Sequence, residues 1–305
     1  MAMNVARAFA TLILTAVAIP VSADSSSPIP DFSGIWGRNA FNLETPTSGP
    51  GPIRNLRRVG RDASTPTTGG GDPIPLVGDY MNPILKPHAA EVVKRMGEAS
   101  ASGHDILDPS NQCATYSPPY VLAMQQRVTV LPTKTDVTLI YSQDVQVRHI
   151  RLNAAHPTRL EPSPMGDSVG HYEGDALVVD TIGIKLGPYT MVDRFGTPQS
   201  QAMHVIERYR LIDDEDARVA QERHEQTAGR LGGKQGNTSF VPAYKKGLQI
   251  QVTIEDPNTY TTPWSGNVTY RRTQEPWDER ICAENASQGQ HEGIEHPPIA
   301  DKPDF

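Results

Sequence analysis

Residues 166–180 (GDSVGHYEGDALVVD) carry an imidazole and a carboxylate two positions apart, His171 and Glu173, followed by a second carboxylate at Asp180. Side chains at i and i+2 on a strand leave by the same face, so His171 and Glu173 can act together. Glu173-Gly174-Asp175 has the turn chemistry of a tight hairpin, and the segment reads as two strands. On the second strand Asp180 shares a face with Ala176, Val178, Ile182 and Ile184. A carboxylate in an apolar row is costly unless it is paired or used. The chemistry such groups offer is proton transfer.

The same parity search finds further polar intruders. His149 lies on a face with Val145, Val147 and Arg151, and Glu207 lies with Met203, Val205, Tyr209 and Leu211. The opposite face of that last strand holds His204, Arg208 and Arg210, which suit carboxylate partners on a neighbouring strand. Glu207 or Asp180 is the expected base, His171 or His204 the acid, Arg208 the anion stabiliser, and Glu173 a further catalytic carboxylate. His149, Arg151, Tyr209 and Trp264 are the expected substrate contacts. Each has a structural alternative: Glu207 can pair with Arg208, and Asp180 can accept from a loop backbone. Asp180, Glu207, Asp193 and Glu173 also admit a glycosidase-like carboxylate pair. His149, His171, Glu173 and His204 are metal-ligand types, but the HxH core of a cupin site is missing. No metal or cofactor is expected. Neither a GxSxG elbow nor an SxxK set with its partners occurs, which argues against a serine nucleophile.

These residues need a β scaffold. Strands are expected at 120–131, 137–141, 145–152, 168–173, 176–184, 202–212, 217–226, 248–255 and 266–273. Leu248, Ile250, Val252 and Ile254 alternate with polar residues in the pattern of a half-buried strand. Short strands with Gly/Pro/Asp punctuation and no long helical spacers predict a mainly β, antiparallel, barrel-like (lipocalin-like) domain. One short helix is expected after Pro87, ending before Gly103. The glycines of 230–237 read as a loop, since no phosphate-binding pattern is present. Tyr116, Tyr120, Tyr189, Phe195, Tyr260, Trp264 and Trp277 suit either the mouth of a cavity or seals at the ends of the core.

The chain opens with Arg7, an uncharged run from Ala8 to Val21, and Val21-Ser22-Ala23, the pattern of a cleaved export signal over 1–23. The Pro/Gly-rich residues 24–80 read as an N-terminal arm anchored by Phe32 and Trp36, 81–285 as the barrel-like domain, and 286–305 as an irregular tail. A net charge of −7 without a basic run argues against nucleic-acid partners, and no later stretch is long enough to span a membrane. Cys113 and Cys282, the only cysteines, are expected to form a disulfide in an oxidising compartment.

Four blocks, DFSGIW at 31–36, the 166–181 hairpin, HVIERYR at 204–210 and EDPNTYTTPW at 255–264, resemble an uncharacterised family of exported bacterial β-rich proteins. The resemblance runs from Phe32 to about Asn285 and implies an exported, β-rich architecture. It gives no reaction. The residues themselves point to a periplasmic or secreted, cofactor-free acid–base enzyme, a lyase or isomerase before a hydrolase, acting on a small aromatic or apolar molecule in a barrel cavity. A lipocalin-like binding protein without catalysis is the alternative reading, and a structural envelope protein is a third.

Overall fold

The computed structural model describes residues 29–38, 40–56, 76–104, 107–228, 244–273 and 281–282. The export signal, the 230–237 loop, Trp277 and the 286–305 tail lie outside the described residues. The strands are β1 (Gly34–Gly37), β2 (Arg127–Pro132), β3 (Asp136–Tyr141), β4 (Gln146–Leu152), β5 (Asp167–Glu173), β6 (Ala176–Ile182), β7 (His204–Asp213), β8 (Lys246–Glu255) and β9 (Trp264–Arg272). They close into a nine-stranded barrel in sequence order, β9 returning to β1. Mainly β architecture and a barrel are thus as the sequence implies.

Three features differ from the expected pattern. First, β4 and β5 run parallel, joined over only three residue pairs from Ile150↔Ser168 to Leu152↔Gly170. A parallel step needs a crossover connection, and residues 153–166 supply it. Second, β1 comes from the Pro/Gly-rich arm and closes the barrel, although it meets β9 at two positions only, Trp36↔Arg272 and Gly37↔Arg271. Third, the residues read as a strand at 217–226 form a helix. α1 (Pro87–Ala101) is the expected helix with Pro87 in its first turn, and α2 (Asp214–Ala228) is the unexpected one. Asp214, Glu215 and Asp216 complement the positive end of the α2 dipole, and Ala217, Ala220, Gln221 and His224 recur at helical spacing on its buried side.

α2 covers the weak β1–β9 seam. Gln221 donates its amide to the carbonyls of Thr269 (2.9 Å) and Gly37 (3.3 Å), one from each side of the seam. His224 Nε2 donates to Phe41 O at 2.7 Å. Burial, and then the charge of Arg38, depress the His224 imidazole to about 4. A disulfide joins Cys113 to Cys282 across 169 residues, worth about 5 kcal/mol in the chain-entropy description.

Inside the barrel the strands present Val130, Leu139, Val179, Val205, Val252 and Val268 to a continuous apolar core. One charged pair interrupts it. Arg148 on β4 and Glu207 on β7 are 1% and 0% exposed and meet two-pronged, Nη1 to Oε1 at 3.0 Å and Nη2 to Oε2 at 2.5 Å. Between them Arg148 Nε donates to Ser168 on β5 at 3.1 Å, and Nη2 to Thr181 on β6 at 2.7 Å. One side chain therefore ties four consecutive strands from within and bridges the short parallel step. Burial opposes the guanidinium charge, but Glu207 more than restores it and holds the Arg148 pKa above its ordinary value.

Two outcomes follow from this frame. Glu207→Gln strands a buried guanidinium and should cost about 3–5 kcal/mol in denaturant unfolding, with much of it recovered by Arg148→Met/Glu207→Leu. His224 is neutral when folded and takes up a proton more readily when unfolded. Stability is therefore complete above pH 6.5 and falls as pH drops toward about 4. The loss is at most about 3 kcal/mol, and His224→Gln should flatten that part of the stability–pH curve.

Candidate functional site

The barrel wall separates the sequence-derived candidates into two groups. Glu207, Tyr209 and Trp264 face inward and are 0%, 1% and 2% exposed. His149, Arg151, His171, Glu173, Asp180, His204 and Arg208 sit on the outer wall, where none is buried. The single pocket wall expected from parity is corrected at His149 and Asp180. On β4 the inward residues are Gln146, Arg148 and Ile150, so Val147 and His149 face solvent. On β6 they are Leu177, Val179 and Thr181, which leaves Asp180 outside with Val178 and Ile182.

The outer wall holds three separate constellations. His149 Nε2 stands 2.8 Å from Asp136 on β3, an exposed cross-strand contact away from the others. At the turn end of the β5–β6 hairpin Glu173 accepts from His171 Nε2 at 2.9 Å and from Arg208 on β7. Gly174 supplies the left-handed backbone (φ +59) that the two-residue turn requires. The imidazole and then Arg208 hold the Glu173 carboxyl below its ordinary pKa.

The third constellation spans five strands. Asp180 Oδ1 accepts from His204 Nε2 at 2.7 Å and from His156 Nε2 at 3.3 Å. His156 Nδ1 donates in turn to Asp167 Oδ1 at 2.6 Å, and Arg151 Nη2 reaches both oxygens of Asp167 at 2.8 and 2.9 Å. On the far side His204 Nδ1 lies 3.5 Å from Glu255 Oε2. The result is an alternating row, Arg151–Asp167–His156–Asp180–His204–Glu255, that runs from β4 to β8.

Register explains the convergence. Asp180 pairs with Val169 on β5 and Ile206 on β7, so His204 lies one outward position along β7 and Asp167 one along β5. Val169, Val178, Ile182 and Ile206 surround Asp180 on the same wall, each half-buried. His156 arrives from the crossover, which is held against β6 where Ser163 N donates to Gly183 O at 3.2 Å and Lys185 N to Ser163 O at 2.8 Å. The crossover demanded by the parallel step thus delivers a residue to the site. His156 has no strand period to mark it in the sequence; the only local signal is an imidazole before Pro157 in an otherwise unpatterned segment.

Asp180 keeps 41% of its side chain exposed and His204 30%, so this row can meet a solute. The buried Glu207 cannot do so in this arrangement. Among the described residues no three His, Cys, Asp or Glu side chains are placed to hold a metal ion, and the His156–Asp180–His204 contacts are hydrogen bonds. Among the described residues no helix is long and apolar enough to cross a membrane. In comparison with known proteins, the chain matches no family model, no curated protein and no solved structure.

Because Asp180 is half-solvated, its loss should not threaten the fold. Asp180→Asn is expected to change unfolding free energy by no more than about 1 kcal/mol. A denaturant titration measures this directly, and a loss as large as that of Glu207→Gln would contradict the two-wall division.

Proposed function

We propose that this protein is an exported acid–base enzyme, of lyase or isomerase type before hydrolase, that acts on a small aromatic or otherwise apolar molecule at the outer-wall row around Asp180. The observation that carries the reading is one carboxylate oxygen held by two imidazoles. Asp180 Oδ1 is fixed by His204 and His156. Its Oδ2 has no protein partner among the described residues and is the atom left to take a proton.

In this reading an acidic C–H of the substrate gives its proton to Asp180 Oδ2. The electron pair left behind either shifts within the substrate or expels a leaving group. His204 or His156 returns a proton to the new site, and the alternating row restores the charge. Val169, Val178 and Ile206 offer the apolar bed on which such a molecule would rest. Arg208, one outward position from Ile206 on β7, would stand toward developing negative charge, although Glu173 already holds it. The resemblance of the hairpin and HVIERYR blocks to exported bacterial proteins supports a periplasmic or secreted setting.

The Glu207 assignment changes in this proposal. Locked to Arg148, it positions the wall and takes no proton from substrate. Binding without chemistry is the second reading, supported by the same apolar bed.

The test is a panel of small aromatic hydroxy and carbonyl compounds incubated with the full chain and analysed by mass spectrometry. An isomerase returns an unchanged mass, a lyase two fragments, and a hydrolase products that have gained water. Turnover should fall about 100-fold or more in Asp180→Asn and in His204→Gln, the range of general acid–base catalysis, and persist in His171→Gln. Full turnover in both outer-row variants would remove the proposal, and compounds bound but recovered unchanged would favour the binding protein.

A further inference from the structure

Residues 154–162 of the crossover form an arch whose two ends are tied to the wall and whose middle is not. Asn153 N donates to Gly170 O at 2.7 Å before the arch, and Ser163 pairs with Gly183 and Lys185 after it. Between those ties no backbone hydrogen bond joins the arch to the wall among the described residues. Pro157 and Pro162 have no N–H to offer. The ion pair of Arg159 with Glu161 stays within the arch, its side chains 91% and 79% exposed. Among residues 154–162 only His156 and Leu160 are not exposed. One imidazole and one aliphatic side chain therefore hold the arch down.

The seat of Leu160 is Gly183, just past β6. Gly183 has φ +68, and a Cβ there would stand 2.3 Å from Leu160 Cδ2 and 2.8 Å from its Cγ. A side chain at 183 would push the Leu160 head away, so the glycine supplies both the left-handed backbone and the close approach. His156 reaches Asp167 at 2.6 Å and Asp180 at 3.3 Å, with 20% of its side chain exposed. Hydrogen bonds open to water give little net hold, because solvent competes for the same groups. Leu160 holds by a different means, the removal of apolar surface from water. A segment with so few buried contacts opens locally once one of them is lost.

We propose that Leu160, seated on Gly183, is the positioning residue for His156. His156 stands in the outer row while Leu160 is seated and leaves it when Leu160 is displaced. Asp180 then keeps His204 alone. The catalytic consequence rests on the acid–base reading of the row; the seating itself does not.

Nitrogen-15 resonances of the histidine rings in the full chain, recorded beside thermal melts, test the seating without a substrate. In Leu160→Ala the His156 resonances should move toward those of histidine in a short peptide, while His149, His171 and His224 keep theirs. Gly183→Ala should give the same displacement from the other side of the contact. Leu160→Met keeps an apolar side chain of similar volume and should leave His156 in place. With a substrate from the panel, kcat in Leu160→Ala should fall at least about tenfold. Leu160→Ala/His156→Gln should be no slower than His156→Gln alone, since residues that act as a unit do not add. A folded Leu160→Ala variant with unmoved His156 resonances would overturn the proposal, for Leu160 would then serve stability only. Equal displacement in Leu160→Met, or additive losses of turnover, would do the same. Because the resonances need no substrate, failure of the seating and failure of the acid–base reading are told apart.

Discussion

The buried pairing of Arg148 with Glu207 is the constraint on which the barrel depends. A guanidinium and a carboxylate removed from water are tolerated only when each is paired and its remaining hydrogen bonds are met. Here Ser168 and Thr181 meet them, so the pair draws β4, β5, β6 and β7 into one register. The parallel β4–β5 step has three residue pairs of its own, and the Arg148 side chain crosses it from within. Without that crossing this parallel step would rest on a short ladder alone.

The position of the outer row follows from the same register. With Arg148 and Glu207 facing inward, alternation sends Arg151, Asp167, Asp180, His204 and Glu255 outward, and the crossover brings His156 to meet them. The inner pair is dry and committed to structure. The outer row is half-wet, with a carboxylate oxygen left open to a solute. Polar side chains of the same types thus stand in two environments on the two sides of one wall.

Several elements were legible because a local rule fixes them. Gly174 between two strand patterns gives the β5–β6 hairpin, Pro87 marks the start of α1, and the alternation of Leu248 to Ile254 gives β8 and its inward face. The two widely spaced cysteines give the disulfide. Where tertiary contacts overrule local pattern, the sequence misleads. Val145 and Val147 suggest that one face of β4 is buried, yet Arg148 lies on the buried face because Glu207 waits across the barrel; Val147 is 54% exposed. β1 is too short for a periodic signal, and its membership depends on partners about 90 and 230 residues away. In α2 the polar side chains Gln221 and His224 face the barrel, so the helix has no wholly apolar stripe. The outer row was half visible: Asp180 and His204 stood out by parity, but nothing in the chain's local pattern ties His156 to them.

The central claim is that Asp180 is the shared acceptor of two imidazoles, and nitrogen-15 magnetic resonance of the histidine rings tests it most directly. In Asp180→Ala the Nε2 resonances of both His156 and His204 should move, while those of His149, His171 and His224 stay in place. Movement of only one of the pair, or of neither, would contradict the account.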